Sequence, residues 1–179
     1  MFVAVPVPHL RAEELKIIQL QNNSLDGIRW TPPSNLHVTL FFLGEVLEEN
    51  ISSINDSIKK VIENTSPFEI EFEKILLKGK KKNSSMIWVQ FFRSDSYASV
   101  SNAIYNSVKD FLIAQPVLKE PVPHITLARL KRDAPVDAIN LAFEKKFLLP
   151  EINSCELWKT VHTNEGVVYK SLERFDFKK

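Results

Sequence analysis

Alternating apolar and polar positions along the chain predict seven β-strands. Residues 68–77, FEIEFEKILL, alternate apolar and charged side chains over most of their length, which is typical of a strand with one buried face. Residues 2–6 form a short apolar run that ends at a proline, and they predict a buried strand. The remaining predicted strands are residues 36–43, 86–92, 121–130, 156–161 and 167–175. We expect the last two to form a hairpin around a turn that contains Asn164 and Gly166.

Four other segments carry apolar residues at helical spacing. In residues 47–63, Ile51, Ile54 and Ile58 fall on one stripe of a helix. The other predicted helices are residues 11–23, 96–114 and 135–147. Residues 29–34, RWTPPS, interrupt these patterns and predict a loop stiffened by two prolines. The expected element order is β-α-β-α-β-β-α-β-α-β-β.

One tetrapeptide pattern occurs twice, once in each half of the chain. It reads HVTL at residues 37–40 and HITL at residues 124–127. Because successive side chains of a strand point to opposite faces, the histidine and the threonine of each copy share one face, with apolar residues behind them. An HxT strand flanked by helices and followed by a strand pair recurs in both halves, which indicates an internal duplication. No long linker separates the halves, so we expect a single bilobal domain over residues 1–179.

Composition and charge change this picture only slightly. The net charge of +1 gives no general attraction to nucleic acid or membrane, so a site for a polyanion has to be local. A single cysteine, Cys155, cannot form an internal disulfide, which favours a reducing compartment. The sequence contains no secretory signal and no apolar stretch long enough to span a bilayer. We therefore expect a cytoplasmic monomer with no obligate protein partner and no membrane association.

The segments around both HxT copies resemble one known group of enzymes. Residues 29–46 (RWTPPSNLHVTLFFLGEV), 123–132 (PHITLARLKR) and 166–175 (GVVYKSLERF) resemble the 2H phosphoesterase superfamily, and within it the bacterial RNA 2′,3′-cyclic phosphodiesterases, also called 2′-5′ RNA ligases or LigT-like proteins. The resemblance implies an α+β fold of two antiparallel sheets related by a pseudo-twofold, with flanking helices and a central cleft. It also implies that the partner is an RNA end or nucleotide bearing a 2′,3′-cyclic phosphate.

The chemistry of a cyclic phosphate explains why two histidines and two threonines are needed. A water attacks phosphorus, one group takes its proton, and another group protonates the departing ribose oxygen. Histidine suits both tasks near neutral pH, and His37 and His124 are the candidate catalytic residues. Thr39 and Thr126 can donate hydrogen bonds to the phosphate oxygens. The resemblance points to a 2′-phosphate product, or to a 2′-5′ linkage when an RNA 5′-hydroxyl replaces water. We favour His37 as the acid and His124 as the base, although the near-symmetry of the motifs leaves these roles open.

Phe42 and Arg129 each lie five positions after a histidine and are candidate substrate-binding residues. In similar proteins an arginine and an aromatic residue here hold the phosphate or sandwich the terminal base. Strict alternation places position i+5 on the face opposite the histidine, so each strand has to bulge, twist or end before it. A core position for Phe42 and a surface charge for Arg129 are the alternatives.

Other polar residues receive less specific interpretations. Lys78, Lys80, Lys81 and Lys82 form the densest charge run, which fits a solvated hairpin tip or a contact with RNA phosphates. We interpret Trp30 as a wall of the cleft or the core, Tyr169 as a packing residue, and His9 and His162 as surface histidines. The sequence contains no HxH, HD or CxxC grouping, so we expect no metal ion and no cofactor.

Two alternatives to an RNA cyclic phosphodiesterase stay open at this stage. The same chemistry can act on a small cyclic nucleotide or a 2′-5′ oligonucleotide. The fold can also serve as a non-catalytic module that binds RNA or nucleotides, although two intact HxT motifs argue against this interpretation.

Overall fold

The computed structural model describes residues 1–80, 83–117, 120–144, 146–164 and 166–178, with the side chains of residues 80 and 83–85 left out of the description. Three α-helices are present in these residues: α1 (His9–Gln21), α2 (Ile51–Ile62) and α3 (Asp95–Val108). The strands are β1 (Phe2–Pro6), β2 (Ile28–Trp30), β3 (His37–Phe42), β4 (Phe72–Lys80), β5 (Asn83–Phe91), β6 (His124–Leu130), β7 (Ser154–Thr163) and β8 (Gly166–Asp176). No helix in the described part of the chain has the length and apolar character needed to cross a bilayer.

The strands form an antiparallel sheet in which the strand order differs from the order along the chain. Together with the helices, this sheet confirms the α+β class. The strand order is β4-β5-β6-β3-β1-β7-β8. β2 pairs with the part of β6 that β3 leaves unpaired, Ala128–Leu130. At the centre of the sheet, β3 and β6 pair only through Val38 and Ile125. The two expected sheets are thus two lobes hydrogen-bonded to each other at one residue pair. We call β3, β1, β7 and β8 the His37 lobe, and β6, β5, β4 and β2 the His124 lobe.

The lobes do not coincide with the two halves of the sequence. The His37 lobe combines the first strand of the chain with its last two, because β1 lies between β3 and β7. The strands of the His124 lobe lie between residues 28 and 130, and β3 of the other lobe falls among them. The duplication inferred from the sequence therefore appears in the strand arrangement as two interleaved units.

The apolar face of the sheet is covered by helices, as the sequence pattern predicts. Ile54, Ile58 and Ile62 form the stripe on α2, and all three are fully buried. Val38 and Ile125 are also fully buried beneath the sheet. Because side chains alternate along a strand, the histidines and threonines beside this pair point to the opposite, solvent-facing side.

The predicted helix over residues 135–147 is wrong. Only a short 3-10 turn at Val136–Ala138 forms there, and the other described residues of the segment are irregular. Asn22 accounts for much of this, because its side chain accepts from the backbone N–H of Asn140 at 2.7 Å and donates to the Asn140 carbonyl at 2.7 Å. These bonds occupy peptide groups that a helix would use. Phe147, which is 1% exposed, still packs into the core against Phe72 and Phe91.

The predicted loop over residues 29–34 also needs correction at its start. Residues Ile28–Trp30 form the short strand β2, which pairs with Ala128–Leu130 of β6. A three-residue strand shows too little alternation to be recognised, and its pairing depends on a partner far along the chain. The remainder of the segment contains the 3-10 turn Pro33–Asn35 that leads into β3.

Both HxT strands carry a bulge at the same position. Thr39 pairs with Ala4 and Phe41 with Val3, so Leu40 is an extra residue opposite β1. In the other lobe, Leu127 is the extra residue, because the pairs are Thr126 with Trp88 and Ala128 with Ile87. An extra residue shifts the alternation of side chains by one. Position i+5 therefore returns to the same face as the histidine in each lobe.

The backbone carbonyl groups at each bulge accept hydrogen bonds from residues outside the paired strands. In the His37 lobe, Ser101 on α3 donates its hydroxyl to the Leu40 carbonyl at 2.7 Å, and the Tyr97 hydroxyl donates to the Thr39 carbonyl. In the His124 lobe, the backbone N–H of Thr31 donates to the Leu127 carbonyl at 2.8 Å. Side chains of α3 thus donate to the bulge carbonyls in the His37 lobe, and a backbone N–H next to β2 donates to the bulge carbonyl in the His124 lobe.

We expect Ser101→Ala to destabilise the fold by about 1–2 kcal/mol, because it leaves the buried carbonyl at the Leu40 bulge without a partner. Urea unfolding followed by circular dichroism measures this change. Ser107→Ala is the matched control, since the Ser107 hydroxyl bonds only within α3, to the Ile104 carbonyl. Equal losses in the two variants would contradict a specific role for α3 in holding the bulge.

Candidate active site

The four HxT side chains meet on one face at the centre of the sheet. β3 and β6 run antiparallel and are in register at Val38 and Ile125. In such a pair, the residue before one partner lies across from the residue after the other. His37 therefore lies on the Thr126 side of the junction, and His124 lies on the Thr39 side. The sequence-based set is brought together in the structure, with each histidine close to the threonine of the other lobe.

Each histidine is fixed by the same backbone contact. His37 Nδ1 lies 2.7 Å from the Asn35 carbonyl oxygen, and His124 Nδ1 lies 2.8 Å from the Val122 carbonyl oxygen. A carbonyl can only accept a hydrogen bond, so Nδ1 carries the proton in both rings. Nε2 of each neutral imidazole is then left with a lone pair that can take a proton. The carbonyl belongs to residue i−2 in both cases, which repeats the pseudo-symmetry of the strands.

Three aromatic rings surround His37. Its ring centroid lies 5.0 Å from that of Phe2, 5.2 Å from that of Trp158 and 5.2 Å from that of Tyr169. Phe2, Trp158 and Tyr169 also pack on one another in a small apolar cluster separate from the main core. The imidazole of His37 is therefore held on several sides by rigid rings of β1, β7 and β8.

His124 has a different neighbour, a single stacked indole. The rings of His124 and Trp88 lie nearly parallel, with centroids 3.6 Å apart and an interplanar angle of 17°. Lys78 Nζ lies 4.8 Å from the centroid of the same indole. Trp88 thus faces an imidazole and also contacts an ammonium group, while its buried Nε1 has no hydrogen-bond partner among the described residues.

Burial opposes the protonation of both histidines in the unliganded protein. It lowers the pKa of His37 to about 4, against the opposing effect of the Asn35 carbonyl, and the positive charges of His124 and Arg129 lower that pKa further. Burial also lowers the pKa of His124, which the Val122 carbonyl raises and Lys78 lowers. Both rings are consequently neutral near pH 7, and an anion bound between them would favour a proton on one ring.

Comparison with known proteins agrees with this geometry. The family model described as LigT like Phosphoesterase matches residues 8–88, which contain the first HxT strand. An RNA 2′,3′-cyclic phosphodiesterase of Archaeoglobus fulgidus is 28% identical over 178 residues, covering 98% of this chain and 99% of that protein. The enzyme of the same name in Bacillus subtilis is 23% identical, covering 97% of this chain and 94% of that protein. Residues 8–88 thus match the LigT-like model, and the chain is similar over almost its whole length to proteins named RNA 2′,3′-cyclic phosphodiesterase.

Solved structures of similar proteins support the fold over the whole chain. A crystal structure of a protein from Thermus thermophilus matches with a TM-score of 0.83 at 24% identity, covering 99% of this chain and 97% of the other. Escherichia coli LigT in complex with ATP matches with a TM-score of 0.72 at 18% identity, with the same coverage. The resemblance seen in the sequence is therefore confirmed by the family match and the named relatives, and the solved structures confirm the fold.

The bulges place Phe42 and Arg129 on the face of the sheet that carries the HxT side chains. Phe42 is 61% exposed, and its ring lies 5.7 Å from that of Phe2, which also contacts His37. The alternative of a core position for Phe42 is therefore wrong. Arg129 is exposed, and its guanidinium has no carboxylate partner in the described part of the chain; its Nη1 contacts the Met86 sulfur at 3.7 Å. Thr39 is buried, with 9% exposure, and Thr126 is half-buried.

Two cavities adjoin the HxT strands at opposite ends. The larger, of about 380 Å³, is lined by Thr39, Phe42 and His124 together with Tyr105 and Val117. The smaller, of about 150 Å³, is lined by Arg29, Trp30, Asn35, Arg129 and Tyr169, among others. Trp30 also packs against the core, so both parts of its interpretation hold.

Some residues at the site carry no signal that sequence reasoning recognises. In the sequence, Phe2, Trp88 and Trp158 are ordinary strand residues, and Asn35 is part of a loop. The sequence predicts that Tyr169 packs, and it does, but its partners include the His37 ring. An aromatic residue on a strand predicted to pair with an HxT strand is the signal that could have found Phe2 and Trp88.

The lysine run is only partly described. Lys78 contacts Trp88 as noted, whereas the side chain of Lys80 and the residues Lys81 and Lys82 lie outside the described residues. Among the residues that are described, no group of three or more His, Cys, Asp or Glu side chains comes together in a way that could hold a metal ion.

We expect acid to weaken the fold through His37. Its folded-state pKa of about 4 lies below the unfolded value of 6.5, so its stabilising contribution is complete above pH 6.5 and is lost as the pH falls towards 4. Between pH 7 and pH 4.5, wild type should lose about 2 kcal/mol more unfolding free energy than His37→Gln. Urea titrations at the two pH values measure this, and His162→Gln, at an exposed position, should retain the wild-type loss. Parallel pH dependence in wild type and His37→Gln would contradict the burial argument.

Proposed function

We propose that this protein hydrolyses the 2′,3′-cyclic phosphate ends of RNA to 2′-phosphates, using His37 and His124 and no metal ion. The observation that carries the proposal is the pair of neutral imidazoles, each with Nδ1 bonded to a backbone carbonyl, on the two strands that meet at the sheet centre. The relatives named RNA 2′,3′-cyclic phosphodiesterase support this substrate. Structures of Escherichia coli LigT in complex with 3′-AMP and with phosphate support a phosphate-bearing nucleotide as ligand.

The reaction balances with two imidazoles and one water. Nε2 of the base takes a proton from water as its oxygen bonds to phosphorus, and the bond from phosphorus to the 3′ oxygen breaks. The acid gives its proton to that oxygen, leaving a 2′-phosphate and a 3′-hydroxyl. Thr39 and Thr126 donate hydrogen bonds to the non-bridging oxygens, where charge accumulates. If an RNA 5′-hydroxyl replaces water, the same steps form a 2′-5′ linkage.

The surroundings of the two rings support His37 as the acid and His124 as the base. Three aromatic rings have centroids within 5.2 Å of that of His37, and contact with such rings can stabilise an imidazolium. The indole beneath His124 already contacts the ammonium of Lys78, which opposes a second cation. Burial works against protonated His37 in the unliganded protein, so the bound cyclic phosphate has to supply the remaining stabilisation.

Phe42 and Arg129 complete the proposed substrate contacts. Phe42 offers an exposed ring beside the cavity that contains His124 and Thr39, which suits stacking on the terminal base. Arg129 offers a guanidinium without a carboxylate partner among the described residues, and its charge is felt at His37, which suits a contact with the phosphate. All of these groups belong to one chain, so the proposed reaction needs no partner subunit. The wider proposal of a single-domain monomer in the cytoplasm rests on the sequence.

We expect full turnover of an RNA with a 2′,3′-cyclic phosphate end in the presence of EDTA, because the proton transfers are assigned to imidazoles. Phosphatase treatment and mass spectrometry of the product should show a 2′-phosphate. Loss of activity in EDTA that a divalent ion restores would eliminate the two-histidine mechanism. Binding of a 2′-phosphonucleotide without turnover would instead support the non-catalytic module.

The acid and the base can be distinguished by the leaving group. His37→Ala and His124→Ala should each lower kcat by about 10² or more on the normal substrate. Replacing the 3′ oxygen of the substrate by sulfur provides a leaving group that needs no proton, so this change should restore activity to His37→Ala and not to His124→Ala. The reverse pattern would exchange the two roles, and near-normal activity of either variant on the oxygen substrate would contradict the mechanism.

A further inference from the structure

The side chain of Asn35 joins two parts of the chain that are far apart in sequence. Asn35 ends the 3-10 turn before β3 and is buried, with 5% exposure. Its Nδ2 donates to the carbonyl of Val167 at 2.7 Å, and its Oδ1 accepts from the N–H of Tyr169 at 3.3 Å. Both partners belong to β8, the last strand of the chain. We call these two hydrogen bonds the Asn35 clasp.

The Asn35 clasp requires the hairpin of β7 and β8 to bend back towards β3. β1 and β7 lie between β3 and β8. Strands of a sheet are about 4.8 Å apart, so in a flat sheet β8 would lie roughly 14 Å from β3, too far for an asparagine side chain. β8 has a bulge at Leu172, between its pairings with Leu157 and Trp158, and such an extra residue bends a strand. The unpaired edge of β8 thus reaches the turn before β3, where the clasp binds it.

Asn35 also fixes the imidazole of His37. Its backbone carbonyl oxygen lies 2.7 Å from His37 Nδ1, while its side chain holds β8. Tyr169, whose N–H is bonded to that side chain, places its ring 5.2 Å from the His37 ring. One residue therefore joins the orientation of the imidazole to the position of an aromatic ring that packs on it.

The second motif holds its histidine without a comparable side chain. The residue equivalent to Asn35 is Val122, whose carbonyl lies 2.8 Å from His124 Nδ1 but whose side chain has no polar group. Pro121 and Pro123 flank Val122 and restrict the backbone on both sides of it. The difference between the two lobes thus makes the first motif dependent on an amide that the second motif lacks.

We propose that Asn35 is a positioning residue, whose amide ties the hairpin of β7 and β8 to the turn before β3 and thereby keeps the Nδ1–H of His37 on the Asn35 carbonyl. Its importance for turnover rests on the proposed function, in which His37 Nε2 exchanges a proton with the substrate. An imidazole released from the carbonyl rotates and interconverts between its two tautomers, so Nε2 is in place for only part of the time. Loss of the clasp therefore lowers kcat more than it raises KM, because the phosphate contacts are left in place.

The tautomer of His37 can be observed in the protein without substrate. Long-range proton–nitrogen NMR spectra at neutral pH should show Nδ1–H for both His37 and His124 in wild type. In Asn35→Ala the His37 signals should change to those of a tautomer mixture, while the His124 signals, recorded in the same spectrum, should not change. Asn35→Gln should recover part of the wild-type signal, because it carries the same amide and the adjoining cavity of about 150 Å³ can take its extra methylene.

Two further measurements follow the clasp and its effect on turnover. The amide of Tyr169 should exchange with solvent about tenfold faster in Asn35→Ala, because it loses its acceptor. On an RNA with a 2′,3′-cyclic phosphate end, the kcat of Asn35→Ala should fall about tenfold, with KM within about twofold of wild type. If Asn35→Ala does not fold, Asn35→Ser undergoes the same measurements, because it keeps a polar group at this buried position.

Asn22→Ala is the matched control. Asn22 is also a buried asparagine, 1% exposed, and its side chain also bonds to a distant backbone, that of Asn140. Its loss should lower the stability to urea, as the loss of the Asn35 amide does, but leave the His37 tautomer, the exchange of Tyr169 and kcat unchanged. An unchanged His37 tautomer in the folded Asn35 variants, or the same loss of kcat in Asn22→Ala, would overturn the positioning role. The spectra require no turnover, so a failure of the proposed reaction and a failure of the clasp are separate results.

Discussion

The pairing of Val38 with Ile125 is the constraint on which the site depends. Each residue is buried beneath the sheet, and each immediately follows the histidine of its motif. Antiparallel pairing at this one point brings two residues that are far apart in sequence onto adjacent strands, with both histidines on the solvent side. The motifs could retain their local geometry without this pair, but nothing else in the central ladder would align one with the other.

The bulges at Leu40 and Leu127 extend this alignment outward from the histidines. They reverse the alternation of side chains after each threonine, so that Phe42 and Arg129 join the same surface. They also leave carbonyl groups outside the regular ladder, which the two lobes satisfy differently, through Ser101 in one and Thr31 in the other. The lobes are thus alike where the motifs lie and differ in what supports them. Their ends differ too, since one presents an aromatic ring and the other a guanidinium.

The sequence predicts those features of the fold that repeat over short distances. The stripe of Ile54, Ile58 and Ile62 identifies α2, and the HxT alternation identifies the shared face of each histidine and threonine. From the sequence, a bulge is only one of three ways to bring Phe42 to the face of the histidine. The position of the bulge cannot be predicted, because it depends on the register between β3 and β1. The failed helix over residues 135–147 shows the same limit. Two hydrogen bonds there join the backbone of Asn140 to the side chain of Asn22, more than a hundred residues earlier in the chain.

The position of β1 has a consequence for the order in which the chain can fold during synthesis. The strands of the His124 lobe are all available once residue 130 has been made, whereas β1 obtains its second neighbour only when β7 appears near residue 154. Trp158 and Tyr169, which enclose His37, come from the final hairpin of the chain. A nascent chain on the ribosome therefore completes the pocket of its first histidine last. β3 is therefore synthesised before β6, but its histidine is enclosed only when the last hairpin forms. A product truncated before that hairpin would carry His37 without Trp158 and Tyr169 around it.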